Sequence, residues 1–205
     1  MAPRTLFAPT PPPAGAGAGR ELLAVVRTMA LVTAVLWGVE LVDQYALHSA
    51  LDQFGVRPLN VEHLGGIVAA PLLHGGLEHL ASNTVGILIL GTMVAMWSRR
   101  EFWLVTLAAT IVGGLGTWLI GNPASTHIGA SGVLFGFFGY LLLRGVFERK
   151  IGAILVSLAV GWVFGSNMLH GMLPEQAGAM ISWEMHLFGF LGGVLMAWRW
   201  RRRSR

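Results

Sequence analysis

Six apolar runs, broken by short charged or glycine- and proline-rich connections, leave this chain of 205 residues few folds to adopt. They cover about 22–43, 79–97, 102–120, 131–147, 151–169 and 183–200, and the fourth is the short one. Runs of this kind read as helices, because a helix needs about 20 apolar residues to cross a hydrocarbon core of about 30 Å and pairs its own backbone as it does so. With 54% hydrophobic and only 12% charged residues, the chain fits an all-α, polytopic membrane protein better than a soluble domain. One domain is expected, with the bundle itself as the core.

The connections alternate in charge. Arg4, Arg20 and Arg27, then Arg99 and Arg100, then Arg144, Arg149 and Lys150, then Arg199, Arg201, Arg202, Arg203 and Arg205 fall on one side, and only Arg57 falls on the other. Since 13 of the 14 basic residues share a face, the positive-inside rule places both termini and the connections 98–101 and 144–150 in the cytoplasm. The loops 44–78, 121–130 and 170–182 then face outward. The pI near 10.6 follows from cations that cap membrane helices beside anionic lipid, so the expected partner is the bilayer and not nucleic acid. The chain divides into a disordered cytoplasmic tail over 1–20, a six-helix membrane domain over 21–200 and a basic cytoplasmic tail over 201–205. The first run is long, carries Glu40 and Asp43 near its outer end and lacks a clean small-x-small cleavage site, so it reads as an uncleaved helix and not as a signal peptide.

The fourth run carries the functional signal. From Ser131 to the first charge, Arg144, is a step of thirteen residues, roughly 20 Å of helix at about 1.5 Å per residue. That is shorter than the bilayer core, so the helix starts inside the membrane. The preceding stretch 121–130 is rich in Gly, Pro and small polar residues and reads as irregular backbone leading down to that start, tolerated at such depth only when enclosed by protein or wetted by a cavity. His186 begins a second apolar step of thirteen residues that ends at Arg199. With both helices running from outside to inside, Ser131 and His186 lie at similar depths.

A serine hydroxyl becomes a useful nucleophile when a base takes its proton, and a histidine within about 3 Å is the usual partner. For Ser131 to reach His186 their helices must approach closely, which small residues permit. Gly132, Gly136 and Gly139 lie on one helix and Gly189, Gly192 and Gly193 on the other; Gly189 and Gly193 fall at i+3 and i+7 from His186, on its own face. Acyl transfer also needs donors for the developing oxyanion. His79 and Asn83, at i and i+4, share one face of the second helix and can both donate, as can the unpaired backbone N–H groups that open the fourth helix. Asn83 lies sixteen residues above Arg99, roughly 24 Å by the helix rise and so within about a turn of the serine level. Each group also has a plainer structural use: Asn83 as a bridge between helices, His79 in the headgroup region, Ser131 as a helix cap.

Other protease chemistries lack their residues. The chain has no cysteine, hence no disulfide, thiol nucleophile or thiolate metal site. Its one lysine, Lys150, is on the cytoplasmic side, which excludes a Ser-Lys dyad. The string from His74 to His79 follows neither H-E-x-x-H nor H-x-x-E-H, so no metal or other cofactor is expected. Asp43 and Asp52 are the only aspartates, both near or outside the membrane surface, so no intramembrane aspartate pair exists. What remains is a Ser-His dyad without an acid.

Gly129-Ala130-Ser131-Gly132, His74 with His79 and Asn83, and His186 followed by GxxxG closely resemble the rhomboid family of intramembrane serine proteases, over a six-helix core of about 22–200. The resemblance implies a rhomboid-like bundle of the bacterial six-helix type, with Ser131 as nucleophile and His186 as base. It further implies an oxyanion hole of His79, Asn83 and the Ser131 N–H, with Gly129, Gly132, Gly189 and Gly193 in support. Phe135 stands where the family often has a tyrosine stacked on the histidine, and His74 matches a first-loop histidine with a structural use. Loop 48–73 would be the partly embedded first loop and 170–182 the cap over the site. Here the sequence departs from some bacterial members: Gly65-Gly66 stands near the place of their Trp-Arg pair. The implied substrate is another membrane protein whose helix unwinds near its outer end, with helix-breaking and small residues favoured at the cleavage point, in the cell membrane with the site opening outward. Two alternatives come from other classes: a non-catalytic rhomboid-like binder of membrane proteins, and a small transporter with a polar midplane site, for which little inverted-repeat character is present.

Overall fold

The computed structural model describes residues 16–174 and 181–201. Among these, six long helices follow in order: α1 (Ala16–Val42), α2 (Leu77–Trp97), α3 (Arg99–Ile120), α4 (Ser131–Glu148), α5 (Ile151–Met172) and α6 (Trp183–Arg201). Gly17–Leu47, α2, α3, α4 and α5 are long and apolar enough to cross a membrane. The chain is thus a multi-pass helical membrane protein. Helix α6, at 19 residues, is less apolar, since Glu184, His186 and Arg199 lie on it.

The expected boundaries shift in two places. Helix α1 begins at Ala16, so residues 16–20 of the expected tail are helical, while 1–15 of that tail and 202–205 of the basic tail lie outside the described residues. Helix α4 ends at Glu148, within a residue of the expected run 131–147, so the connection placed at 144–150 shrinks to Arg149 and Lys150, and Arg144 does not end in water. It is buried, paired with Glu101 and Glu148, hydrogen-bonded to Tyr140 and stacked 4.3 Å from the Trp97 ring. A buried charge persists only when paired and hydrogen-bonded in this way, so the charge-free run understates the helix.

Helix α4 is the centre of the bundle. Every residue from Gly132 to Leu141 is buried, the pattern of a helix surrounded on all sides. It packs on α6, α5 and α3. Against α6 the contact is backbone on backbone: a Cβ built on Gly189 would land on the Gly132 carbonyl, and one on Gly193 would land on the Gly136 carbonyl. Gly192 backs onto α3 in the same manner, its Cβ position 2.8 Å from the Ala108 carbonyl oxygen. Such close approach is how helices associate where no hydrophobic effect pulls them together.

The connection between α1 and α2 has little regular structure beyond single turns, yet it is pinned at both ends. Buried Glu40 accepts the Gly76 N–H at 3.0 Å, and buried Asp43 accepts the Leu51 N–H at 2.9 Å. In the middle, Leu59 N–H donates to the Trp118 carbonyl at 2.9 Å while the Trp118 indole N–H donates to the Asn60 carbonyl at 3.0 Å. Val56 and His127 exchange two backbone hydrogen bonds of 2.9 Å each, which joins this loop to the stretch ahead of α4.

Replacing Gly193 with alanine should therefore force α4 and α6 apart and lower stability by about 1–3 kcal/mol, the usual cost of overpacking. Alanine at Gly38, which meets nothing within 4 Å, should be neutral or slightly stabilising. Thermal unfolding of the two variants in one detergent checks the contrast.

Candidate active site

Helix α4 cannot start higher than Ser131 because of what precedes it. Gly129 has φ of +117°, a conformation that favours glycine, and its N–H donates to the Ala70 carbonyl at 2.9 Å. Ala130 N–H is directed at His74 Nε2, 3.4 Å away, and the Ala130 carbonyl accepts the N–H groups of Val133 and Leu134. The backbone thus turns from loop to helix at the serine, and the N–H groups of Ser131 and Gly132 are left without an intrahelical acceptor, as at any helix start.

Across from it, α6 presents His186 from the end of its first turn. The structure brings the two predicted residues together: His186 Nε2 lies 2.8 Å from Ser131 Oγ. His186 Nδ1 lies 2.9 Å from the carbonyl oxygen of Gly171 in the last turn of α5. A carbonyl only accepts, so Nδ1 carries the proton and Nε2 offers its lone pair to the serine hydroxyl, a tautomer assigned from the network. Phe135, one turn after Ser131, stacks on the imidazole with centroids 4.0 Å apart and planes 8° from parallel. The ring is held on three sides and is 7% exposed.

The donors expected from α2 reach the same place. A Cβ on Gly129 would sit 2.8 Å from His79 Nε2 and 3.5 Å from Asn83 Nδ2, so both side chains line the backbone two residues ahead of the serine. Asn83 is buried and its Nδ2 has no partner. A buried amide donor left unpaired is costly and asks for an explanation. His74 lies behind His79, edge to face at 5.2 Å, which fits a supporting use. Gly132, Gly189 and Gly193 form the close seam between α4 and α6 described above. Among the described residues no group of His, Asp and Glu could hold a metal ion.

Two features escaped the sequence. The Gly171 carbonyl carries no side-chain signal, and nothing in the primary structure marks a backbone oxygen as the partner of a distant imidazole. A second cluster joins the stretch ahead of α4 to the start of α6: His127 contacts Ser182 at 2.7 Å and Ser125 at 2.8 Å. Its visible trace was Ser182, three residues ahead of the Met185 N–H it caps at 3.3 Å. Of the expected cap 170–182, residues 175–180 lie outside the described residues.

Fold and site together define a multi-pass helical membrane protein with a histidine-paired serine enclosed in its bundle. Residues 61–203 match the model of the Rhomboid domain. The chain belongs to the rhomboid family. It is 42% identical over 178 residues to an uncharacterised protein of Mycobacterium tuberculosis, covering 83% of this chain and 73% of that protein. It is 28% identical to a putative rhomboid protease of Bacillus subtilis over 64% of each chain. A rhomboid protease of the same organism is 34% identical over 62% of this chain and 24% of its own.

Burial pulls the His74 imidazole down to about 4, from an ordinary 6.5, and nearby His79 pushes the same way. Since the folded value is depressed, the unfolded chain binds the proton first. The stability tied to neutral His74 is complete above about pH 6.5 and is lost as pH falls toward 4. Going from pH 7 to pH 5 should cost wild type about 2 kcal/mol more than His74→Gln. Unfolding midpoints of both proteins at the two pH values test this; equal losses would contradict it.

Proposed function

We propose that this chain is an intramembrane serine endopeptidase that hydrolyses peptide bonds in or near transmembrane segments of other membrane proteins. The observation that carries the reading is the 2.8 Å contact between Ser131 Oγ and His186 Nε2, with the imidazole oriented from behind by a backbone carbonyl. Ser131 attacks the scissile carbonyl carbon as its hydroxyl proton passes to His186 Nε2. The same proton then goes to the leaving amine nitrogen as the C–N bond breaks, and water repeats the sequence in reverse roles to release the acyl group. The imidazolium formed in each half finds the Gly171 carbonyl against Nδ1. That oxygen lies at the C-terminal end of α5, where orphan carbonyls and the helix dipole favour positive charge.

The oxyanion would be taken by Asn83 Nδ2, by His79 and by the N–H of Ser131 at the start of α4. The unpaired Asn83 amide supports this assignment, since an approaching oxyanion would satisfy it. Substrates are helices that open near one end, because a peptide bond inside an intact helix is shielded from attack; Gly, Pro and small residues at that point favour opening. The positive-inside distribution supports cytoplasmic termini, with the site reached from the opposite face of the cell membrane.

The test is covalent labelling of detergent-solubilised protein by a fluorophosphonate probe. Wild type should label, Ser131→Ala and His186→Ala should not, and Asn83→Ala should label about 10²-fold more slowly, the usual cost of one oxyanion donor. The labelling rate should fall as acid protonates the base. Labelling retained in Ser131→Ala or in His186→Ala would overturn the reading.

A further inference from the structure

His127 stands four residues before Ser131, and Ser182 stands four residues before His186. The two elements that carry the dyad are therefore joined twice, by a serine–histidine pair each time and with the residue types exchanged. The upper pair is as close as the lower one: His127 Nδ1 to Ser182 Oγ is 2.7 Å, and Ser131 Oγ to His186 Nε2 is 2.8 Å.

The cluster closes with one neutral tautomer. Ser125 Oγ donates to the Asn122 carbonyl at 2.7 Å, so it accepts from His127 Nε2–H at 2.8 Å. His127 Nδ1 is then the acceptor, and Ser182 O–H donates to it at 2.7 Å in preference to the Glu184 carboxylate 3.4 Å away. The Ser182 oxygen still accepts from the Met185 N–H at 3.3 Å, which makes this hydroxyl the N-cap of α6, and the Ser182 carbonyl accepts the His186 N–H at 3.2 Å. From Ser182 through His127 to Ser125 each hydroxyl and the ring N–H has an acceptor, the last being the Asn122 carbonyl. The charged group near the imidazole is Glu184 of α6, while the His127 main chain pairs with that of Val56 in the first loop.

We propose that His127 and Ser182 are positioning residues: a clasp that holds the first turn of α6 against the loop ahead of α4 and so fixes His186 over Ser131. This rests on the Ser131–His186 reading. The dyad has no acid to anchor its base, and His186 sits only one turn into α6. Fraying or rotation of that turn displaces the imidazole directly, and a displacement of about an ångström costs up to about 10²-fold in rate.

The test measures fluorophosphonate inactivation of the purified full chain in detergent, resolved into kinact and KI. Glycine is nearly as good an N-cap as serine but has no hydroxyl for His127, so Ser182→Gly separates the clasp from the cap. Ser182→Gly and His127→Phe should each lower kinact by about 10- to 100-fold with KI unchanged. The double variant should be no slower than either single one, and Ser182→Thr, which keeps the hydroxyl, should restore the wild-type rate. Wild-type kinact in Ser182→Gly, losses that multiply in the double variant, or no recovery with threonine would overturn the clasp while leaving the dyad standing. If folded wild type does not label at all, the dyad reading fails and the clasp with it.

Discussion

The close seam between α4 and α6 is the constraint on which the rest of the structure depends. A serine hydroxyl and an imidazole meet at hydrogen-bond distance only when their backbones come far nearer than ordinary side chains allow. Gly189 and Gly193 give up their side chains to the carbonyls of Gly132 and Gly136, and this brings Ser131 and His186 together one turn above. The seam also explains why α4 is enclosed on every side. A helix stripped of bulk on one face recovers packing on the others, with Phe137, Phe138, Tyr140 and Leu141 all buried.

Given that seam, the missing acid has a physical rationale. An ionised carboxylate beside the imidazole would be expensive to hold at membrane depth. The C-terminal end of α5 supplies a fixed partial negative charge at no such cost, because its last carbonyls have no partner in the helix anyway. The Gly171 oxygen sets the tautomer and Phe135 the plane of the ring. The buried carboxylates at the end of α1 and just past it, Glu40 and Asp43, are spent on backbone N–H groups of the loop above, where they fix its course without facing the base.

Much of this was legible in the sequence, and the reasons differ by element. Segment positions followed from hydropathy, and the equal depth of Ser131 and His186 followed from two charge-free steps of thirteen residues. The surroundings of Arg144 were not legible, because a sequence shows a charge but not the Glu101, Glu148 and Trp97 that enclose it. The glycine face was readable from periodicity; which carbonyl each glycine would meet was not. His79 and Asn83 were readable as one helical face, and their convergence on Gly129 depends on the +117° turn there. Gly171 was invisible, since its contribution is a main-chain oxygen that every residue possesses. His127 and Ser182 were visible only as residue types, because their pairing spans 55 positions.

Polarity within the bundle varies along α4, and the pattern bears on how water would reach the proposed reaction. Around the loop end of the helix lie His74, His79, Asn83, Ser131 and His186, with His127, Ser125, Ser182 and Glu184 beyond them. From Val133 to Phe138 the helix is buried among apolar side chains, Phe102 stacking on Phe137 at 5.1 Å and Phe138 leaning on Phe190 at 5.8 Å. Below these, Tyr140 and Arg144 close the other end with Glu101. A water molecule needs two to four polar partners to remain in a protein interior, and among the described residues α4 offers them in two places, around Ser131 and around Arg144, with apolar side chains between. For the proposed hydrolysis, water would therefore enter from the loop end. The apolar layer beneath keeps the site from becoming a passage through the bundle.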